Sequence, residues 1–177
     1  MATEFPLQVI IVGSGLAGLT AARVLRPYHH VTVYERGNAS IATGGQGIMI
    51  APNAVNILSK IGYSSHRANP IPIQRIRTYD SKGTVLEDVD MRPEQRFGAD
   101  FLAHKRSDFR DELLRLATMP SEELKIGGEP AKMVFGMEVT SLDADEGVVT
   151  LSDGSTAQAD VIVSKLGKAR RCERRKS

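Results

Sequence analysis

Cysteine is almost absent from this chain of 177 residues, which contains Cys172 alone. A single cysteine excludes both a disulfide framework and a zinc site built from cysteines. Apolar stretches of membrane length are missing too, because polar residues and three glycines interrupt the longest apolar region, residues 7–25. No basic segment precedes that region, which argues against a secretory signal. These absences predict a cytoplasmic protein without stable membrane insertion.

The net charge is only +2, but the charges are unevenly distributed. Residues 165–177 contain seven lysines and arginines and one acid, Glu173, so the first 164 residues carry a net charge of −4. This basic segment has no aromatic residues to stack on bases and no apolar face to enter lipid, so we expect no nucleic-acid partner. We predict a domain over residues 1–163 and a basic, disordered tail over residues 164–177. A shifted reading frame or splice boundary is favoured as the origin of the tail over a binding segment.

The first 35 residues have the pattern of a strand, a helix and a second strand. Residues 8–12 are one glutamine followed by a continuous apolar run, which is typical of a parallel strand buried on both faces. An alanine- and leucine-rich helix follows and ends before Pro27. Residues 31–35 are the second strand. The order predicts one right-handed β-α-β crossover unit.

Three glycines in the turn between the first strand and the helix each have a separate task. Gly13 permits the tight turn, Gly15 lets the backbone approach a pyrophosphate, and Gly18 lets the helix pack closely on the sheet. The start of the helix offers free N–H groups and partial positive charge to phosphates. Glu35, at the end of the second strand, can accept hydrogen bonds from an adenosine ribose and repels a 2′-phosphate. Together these residues predict a site for FAD or NAD rather than for NADP.

The remainder of the chain predicts further elements around this unit. A helix starts at Pro52 and is stopped by Gly62, and residues 75–89 alternate as a hairpin. Ser107 is the expected N-cap of another long helix. A strand meander is predicted in the last third, over residues 134–142, 148–151 and 156–163. The predicted fold class is α/β, a Rossmann-like β-α-β domain with a partial antiparallel β sheet or meander.

Several segments extend the pattern beyond the glycines. In chain order they are Tyr34-Glu35-Arg36, Gly44-Gly45-Gln46-Gly47-Ile48, Pro52-Asn53-Ala54 and His104-Lys105-Arg106-Ser107-Asp108-Phe109. This order resembles the flavin-dependent aromatic hydroxylases, the salicylate- and 4-hydroxybenzoate-hydroxylase-like group A monooxygenases, and among them fungal enzymes of secondary metabolism. The resemblance implies an FAD-binding domain, NAD(P)H as co-substrate, and O2-dependent hydroxylation or epoxidation of a small aromatic, polyketide or terpenoid metabolite.

The resemblance also implies roles for individual residues. Arg106 stands where the family places an arginine on the cofactor, and a guanidinium can bind pyrophosphate oxygens with two hydrogen bonds. Gly47 and Met49 stand where the family's backbone runs beside the flavin and its ribityl chain, and Arg36 adjoins Glu35. No catalytic residue and no metal ligand is identified. The expected cofactor-binding residues are Gly13, Gly15, Gly18, Glu35, Arg36, Gly47, Met49 and Arg106.

The chain departs from the family pattern after residue 163. In the family the strand at residues 159–163 leads into a Gly-Ala-Asp-Gly segment, whereas Ser164-Lys165-Leu166-Gly167 follows here. We therefore expect a C-terminally truncated enzyme, whose activity is either compromised or dependent on a partner chain that completes the fold. Two alternatives stay open. One is a catalytically inactive nucleotide-binding remnant or interaction module, and the other, less favoured, is an NAD-dependent dehydrogenase.

Overall fold

The structure, a computed structural model, describes residues 5–39 and 46–164. The described residues form two compact units. The first comprises those of Met1–Ile41 and Leu113–Ser177, and the second comprises those of Ala42–Glu112. Residues 165–177, where we predict a disordered tail, lie outside the described part of the chain.

A four-stranded parallel sheet forms the centre of the first unit. Its first strand is buried on both faces, with Val9, Ile10 and Ile11 each at most 4% exposed, as the continuous apolar run predicted. Helix α1 follows this strand and crosses over to the next one, which confirms the β-α-β unit. The strands lie in the order β12-β1-β2-β8, and the elements are β1 (Gln8–Val12), α1 (Leu16–Leu25), β2 (His30–Glu35), β8 (Lys132–Phe135) and β12 (Val161–Ser164).

An antiparallel meander covers one face of this sheet. Its strands are β9 (Val139–Asp143), β10 (Val148–Leu151) and β11 (Thr156–Gln158), with β10 in the middle. Val149 and Leu151 pack with Ile10 of the parallel sheet in one buried cluster. The partial antiparallel sheet of the sequence prediction is therefore present, and its packing buries one face of β1.

The two outer strands of the predicted meander are each broken into two strands. Gly136, in a left-handed conformation (φ +70°), separates β8 from β9. Asp160 separates β11 from β12, because its carboxylate accepts from the Gln8 N–H (2.7 Å) and its own N–H donates to the Gln8 carbonyl (3.0 Å). Residues that we predicted in one antiparallel layer therefore also supply both outer strands of the parallel sheet. Strand β12 includes Ser164, which pairs with Val12, so the strand passes the predicted boundary at 163 by one residue.

Two further helices complete the first unit. Helix α5 (Arg106–Thr118) begins in the second unit and ends in the first, where Leu113, Leu116 and Ala117 are fully buried. The short helix α6 (Ser121–Leu124) follows after Pro120.

The second unit consists of a small sheet, a hairpin and helices. Its sheet has the order β3-β7-β4 and is antiparallel throughout, and the separate hairpin β5-β6 is highly exposed. Helix α2 begins with Pro52 at its first turn, as predicted. The bounds are β3 (Gly47–Ile50), α2 (Pro52–Lys60), α3 (Ser65–Ala68), β4 (Ile71–Pro72), β5 (Arg75–Tyr79), β6 (Val85–Asp90), α4 (Pro93–Phe97) and β7 (Leu102–Lys105).

Ser107 does not cap helix α5, contrary to our prediction. The helix already begins at Arg106, directly after strand β7, and the Arg106 N–H donates to the Gln46 carbonyl (2.9 Å). The Ser107 hydroxyl bonds to the Asp108 carboxylate instead (2.9 Å). The hydrogen bonding that follows the pairing of β7 with β3 therefore continues into the first helical residue.

None of the helices in the described part of the chain combines the length and the apolar content that a membrane span requires.

Candidate functional site

Gly13 makes the turn between strand β1 and helix α1. Its φ of +95° lies in the left-handed region, which residues with a Cβ rarely adopt. Its N–H donates to the carbonyl of Tyr34 (2.8 Å), which joins the end of β1 to the end of β2. The turn is therefore tied to the carboxyl edge of the parallel sheet, where doubly wound folds bind their ligands.

Gly15 leaves the start of helix α1 open. It is the N-cap residue and has no side chain to accept a hydrogen bond from the first helical turn, which also contains no acid. Apart from its chain neighbours, a Cβ built on Gly15 would have no heavy atom of the described residues within 4 Å. The first N–H groups of a helix have no partner within the helix and carry partial positive charge. This surface suits an approaching phosphate group.

Gly18 lies against the turn itself. A Cβ at this position would be 2.1 Å from the Gly13 carbonyl oxygen and 3.3 Å from Cγ2 of Ile11. The first contact is far shorter than any normal van der Waals distance and involves backbone. Only glycine lets helix α1 lie this close to strand β1.

Glu35 places a carboxylate beside the glycine turn. It is half-buried at the end of β2, and its Oε2 accepts from both the N–H (2.7 Å) and the hydroxyl (2.8 Å) of Ser14. Its Oε1 accepts from the Gly37 N–H (2.8 Å). The fold thus brings Gly13, Gly15, Gly18 and Glu35 together in the first unit. From the sequence we assigned no role to Ser14. The signal that could have shown one was the position of its hydroxyl group between Gly13 and Gly15.

The other predicted cofactor residues lie elsewhere along the chain. Arg36 is exposed directly after Glu35. Gly47 and Met49 are exposed on β3 of the second unit, where Gly47 pairs with Lys105 and so lies next to the start of α5. Arg106, at that start, is half-buried. The second unit therefore groups Gly47, Met49 and Arg106, and their roles toward a cofactor stay predictions.

A buried polar and aromatic cluster joins the segment after α2 to β7 and α5 within the second unit. The Tyr63 hydroxyl lies 3.1 Å from Nε2 of His104, and Phe109 contacts both rings at centroid distances of 5.8 and 5.0 Å. Burial, followed by the charge of Glu112, raises the pKa of Tyr63 to about 12. Burial also lowers the pKa of His104, with smaller opposite contributions from the Ala68 backbone and Asp108. The sequence offered no partner for His104.

The lowered pKa of His104 predicts a loss of stability in mild acid. The folded protein favours the neutral imidazole, so the unfolded chain binds a proton first as the pH falls below about 6.5. The contribution of His104 is therefore intact above that pH and declines below it. We expect wild type to lose more free energy of unfolding between pH 7.5 and 5.5 than His104→Asn. Urea titrations at the two pH values measure this difference, and equal losses in the two proteins would contradict it.

The aspartates of the β5-β6 hairpin are tied to arginines. Arg75 and Arg77 both bond to Asp88, and Arg92 bonds to Asp90 (2.8 Å), so these arginines lower the pKa of both carboxyl groups. The geometry gives neither aspartate a role as a general acid near neutral pH. Among the described residues, no group of three or more His, Cys, Asp or Glu side chains could hold a metal ion.

Comparison with known proteins shows what the residues around this site are similar to. Residues 11–60, which include the glycine turn and Glu35, match the family model described as an NAD(P)-binding Rossmann-like domain. Hispidin-3-hydroxylase of Neonothopanus nambi is 32% identical over 167 residues, covering 93% of this chain and 38% of that protein. The FAD-dependent monooxygenase pynG of Aspergillus niger is 34% identical over 163 residues, covering 90% of this chain and 36% of that protein. The chain is a homologue of the FAD-dependent monooxygenases.

The solved structures agree with this relationship at the level of the fold. A crystal structure of a Klebsiella pneumoniae HpxO variant, complexed with FAD, has a TM-score of 0.68 and 23% identity, covering 88% of this chain and 38% of that one. The predicted Rossmann-like α/β fold and the predicted family resemblance are both confirmed. The chain spans about two fifths of the length of the FAD-dependent monooxygenases that it matches.

Proposed function

We propose that this chain binds FAD and serves an FAD-dependent monooxygenase reaction with NAD(P)H and O2 as co-substrates. The observation that carries the proposal is the open start of helix α1 at Gly15, next to the fixed carboxylate of Glu35. A pyrophosphate needs close backbone N–H donors, and an adenosine ribose needs an acceptor at the end of the second strand. The residues present fit both requirements of the adenosine diphosphate part of FAD.

In this proposal each residue binds or orients one part of the cofactor. The N–H groups at the start of α1 bind the pyrophosphate, and Glu35 accepts from the ribose hydroxyls. The roles that the family resemblance implies for Arg36, Gly47, Met49 and Arg106 toward the cofactor stay predictions from the sequence. Bound FAD would supply the redox chemistry that joins NAD(P)H oxidation to the transfer of one oxygen atom from O2.

We propose a small aromatic molecule as the substrate class. The names of two relatives, hispidin-3-hydroxylase and 3-amino-4-hydroxybenzoate 2-monooxygenase PtnB3, describe enzymes that hydroxylate small molecules. Epoxidation, a polyketide or terpenoid substrate, a role in secondary metabolism and a cytoplasmic location stay predictions from the sequence. A partner chain that completes the fold also stays a prediction.

Gly15→Ala tests the cofactor site without disturbing the fold. Its Cβ meets nothing within 4 Å among the described residues, and Gly15 has a φ of −69° that alanine adopts without strain. Alanine is a poorer N-cap than glycine but restricts the unfolded chain, so we expect the free energy of unfolding to change by about 1 kcal/mol or less. The same methyl group would occupy the surface that the pyrophosphate approaches. We expect FAD affinity, measured by quenching of flavin fluorescence, to fall at least about tenfold, which is 1.4 kcal/mol.

Gly127→Ala is the matched control for this substitution. It also adds one methyl group at a glycine, and its Cβ would make an ordinary contact of 3.5 Å with the Pro27 carbonyl, away from the glycine turn. We expect it to keep wild-type FAD affinity. Equal FAD affinity in all three proteins would contradict the site, and wild type that binds no FAD would contradict the proposed function.

Turnover separates the proposal from its alternatives. The purified chain, loaded with FAD, is supplied with NADH or NADPH, O2 and a panel of phenolic acids, and hydroxylated product is measured by mass spectrometry. Product formation supports the monooxygenase, whereas FAD binding with only peroxide formation favours a nucleotide-binding module without hydroxylation. Saturable binding of NAD with no binding of FAD would favour the dehydrogenase.

A further inference from the structure

We infer that Ser14 is a positioning residue whose hydroxyl holds the Glu35 carboxylate for the adenosine ribose, and so sets a preference for nucleotides with a free 2′-hydroxyl. The inference rests on the proposed function and deepens it. Ser14 lies between Gly13 and Gly15, and the pattern of three glycines assigns no role to it.

The geometry around Glu35 carries the inference. Ser14 is 2% exposed, and its hydroxyl and N–H reach the same carboxylate oxygen, Oε2, at 2.8 and 2.7 Å. The Gly37 N–H reaches the other oxygen, Oε1, at 2.8 Å. Donors on both oxygens hold the plane of the carboxylate as well as its position. All three of these donors are uncharged.

This orientation matters because a glutamate side chain has three rotatable bonds. A carboxylate that is already ordered in the folded protein does not lose that freedom when a nucleotide binds, and prior ordering of this kind raises affinity. Ser14 donates to Oε2 through both its hydroxyl and its N–H. Without the hydroxyl, Ser14 holds that oxygen through its N–H alone. We therefore expect the carboxylate to sample other orientations and to accept less effectively from a ribose hydroxyl.

A purely structural role for Ser14 predicts a different result. If the hydroxyl only supports the turn, its loss displaces the N–H groups that bind phosphate and weakens every adenine nucleotide equally. If it acts through Glu35, its loss weakens only those nucleotides that offer a 2′-hydroxyl. The ratio of affinities for ADP and 2′-deoxy-ADP separates the two roles, and it is independent of the fraction of protein that is folded.

The experiment measures ADP, 2′-deoxy-ADP and FAD binding by calorimetry in wild type, Ser14→Ala, Glu35→Gln and the double variant. We expect wild type to prefer ADP over 2′-deoxy-ADP about tenfold, and Ser14→Ala to lose most of that preference with little change for 2′-deoxy-ADP. In the Glu35→Gln background, Ser14→Ala should have no further effect on the preference. Thr20→Ala is the control, because Thr20 lies in helix α1, directly after the turn, and its hydroxyl donates to the Leu16 carbonyl (2.8 Å).

The outcomes distinguish this inference from the proposed function. If wild type binds FAD and ADP, and Ser14→Ala prefers ADP over 2′-deoxy-ADP as strongly as wild type does, the inference is overturned and the proposed function stays intact. A loss that is equal for ADP and 2′-deoxy-ADP also overturns it. If wild type binds neither FAD nor ADP, the proposed function fails and the inference fails with it.

Discussion

Gly18→Ala is expected to lower the free energy of unfolding by about 3 kcal/mol, the upper range for an overpacked interior. The added Cβ would lie 2.1 Å from the carbonyl oxygen of Gly13 and 3.3 Å from its carbonyl carbon. Both are backbone atoms, so no rotation of a side chain can relieve the contact. Helix α1 would have to move away from strand β1, which opens the buried layer around Ile11 and displaces the turn.

Urea unfolding followed by far-UV circular dichroism measures this effect. Gly15→Ala is the control, since it adds the same methyl group three residues earlier, where a Cβ meets no atom of residues 5–39 and 46–164 within 4 Å beyond its chain neighbours. We expect FAD affinity to fall in both variants, with a large loss of stability only in Gly18→Ala. A Gly18→Ala protein as stable as wild type would show that the helix does not lie this close to the strand.

The β-α-β unit of the parallel sheet could be predicted because the sequence patterns that mark it lie within a few neighbouring residues. A continuous apolar run marked β1, and turn glycines marked the start of α1. The last third was harder, since alternation predicts a strand without naming its neighbours. Residues 134–142 and 156–163 each read as one strand, but each contributes to two sheets. The first of these segments is divided by Gly136, which has a positive φ, and the second by Asp160, which bonds to Gln8. Gln8 and Asp160 are 152 positions apart in the sequence, so no local pattern shows their contact.

In the candidate site, too, some residues could be predicted from local sequence patterns and others could not. Gly13, Gly18 and Glu35 were predictable because a backbone geometry or a strand end restricts the residue type at each position. The contact of Ser14 with Glu35 was not, because serine is compatible with many turns and its partner lies 21 residues away. The pairing of Tyr63 with His104 spans 41 residues and has no periodic signal. Buried polar pairs of this kind become visible only when the tertiary fold is known.

Arg26 is the clearest buried contact of this type, and Arg26→Met is expected to lower the free energy of unfolding by about 3–4 kcal/mol. Its side chain has no exposed surface, and it donates to the carbonyls of Glu129 (3.0 Å) and Leu116 (3.0 Å) and to the hydroxyl of Ser121 (2.9 Å). Burial, and then the charge of Arg23, lowers its pKa. Methionine can fill much of the volume but would leave all three acceptors without this donor.

Arg23→Met is the matched control, because Arg23 lies three residues earlier, in the last turn of helix α1, and is also buried, at 7% exposed. Its Nε has no hydrogen-bond partner among the described residues, and burial lowers its pKa. Removing this charge releases its repulsion with Arg26, so we expect a change in the free energy of unfolding of less than about 1 kcal/mol in either direction. Urea unfolding of both variants measures the difference. Equal destabilisation would mean that filling the space, rather than the three hydrogen bonds, explains why an arginine stands at position 26.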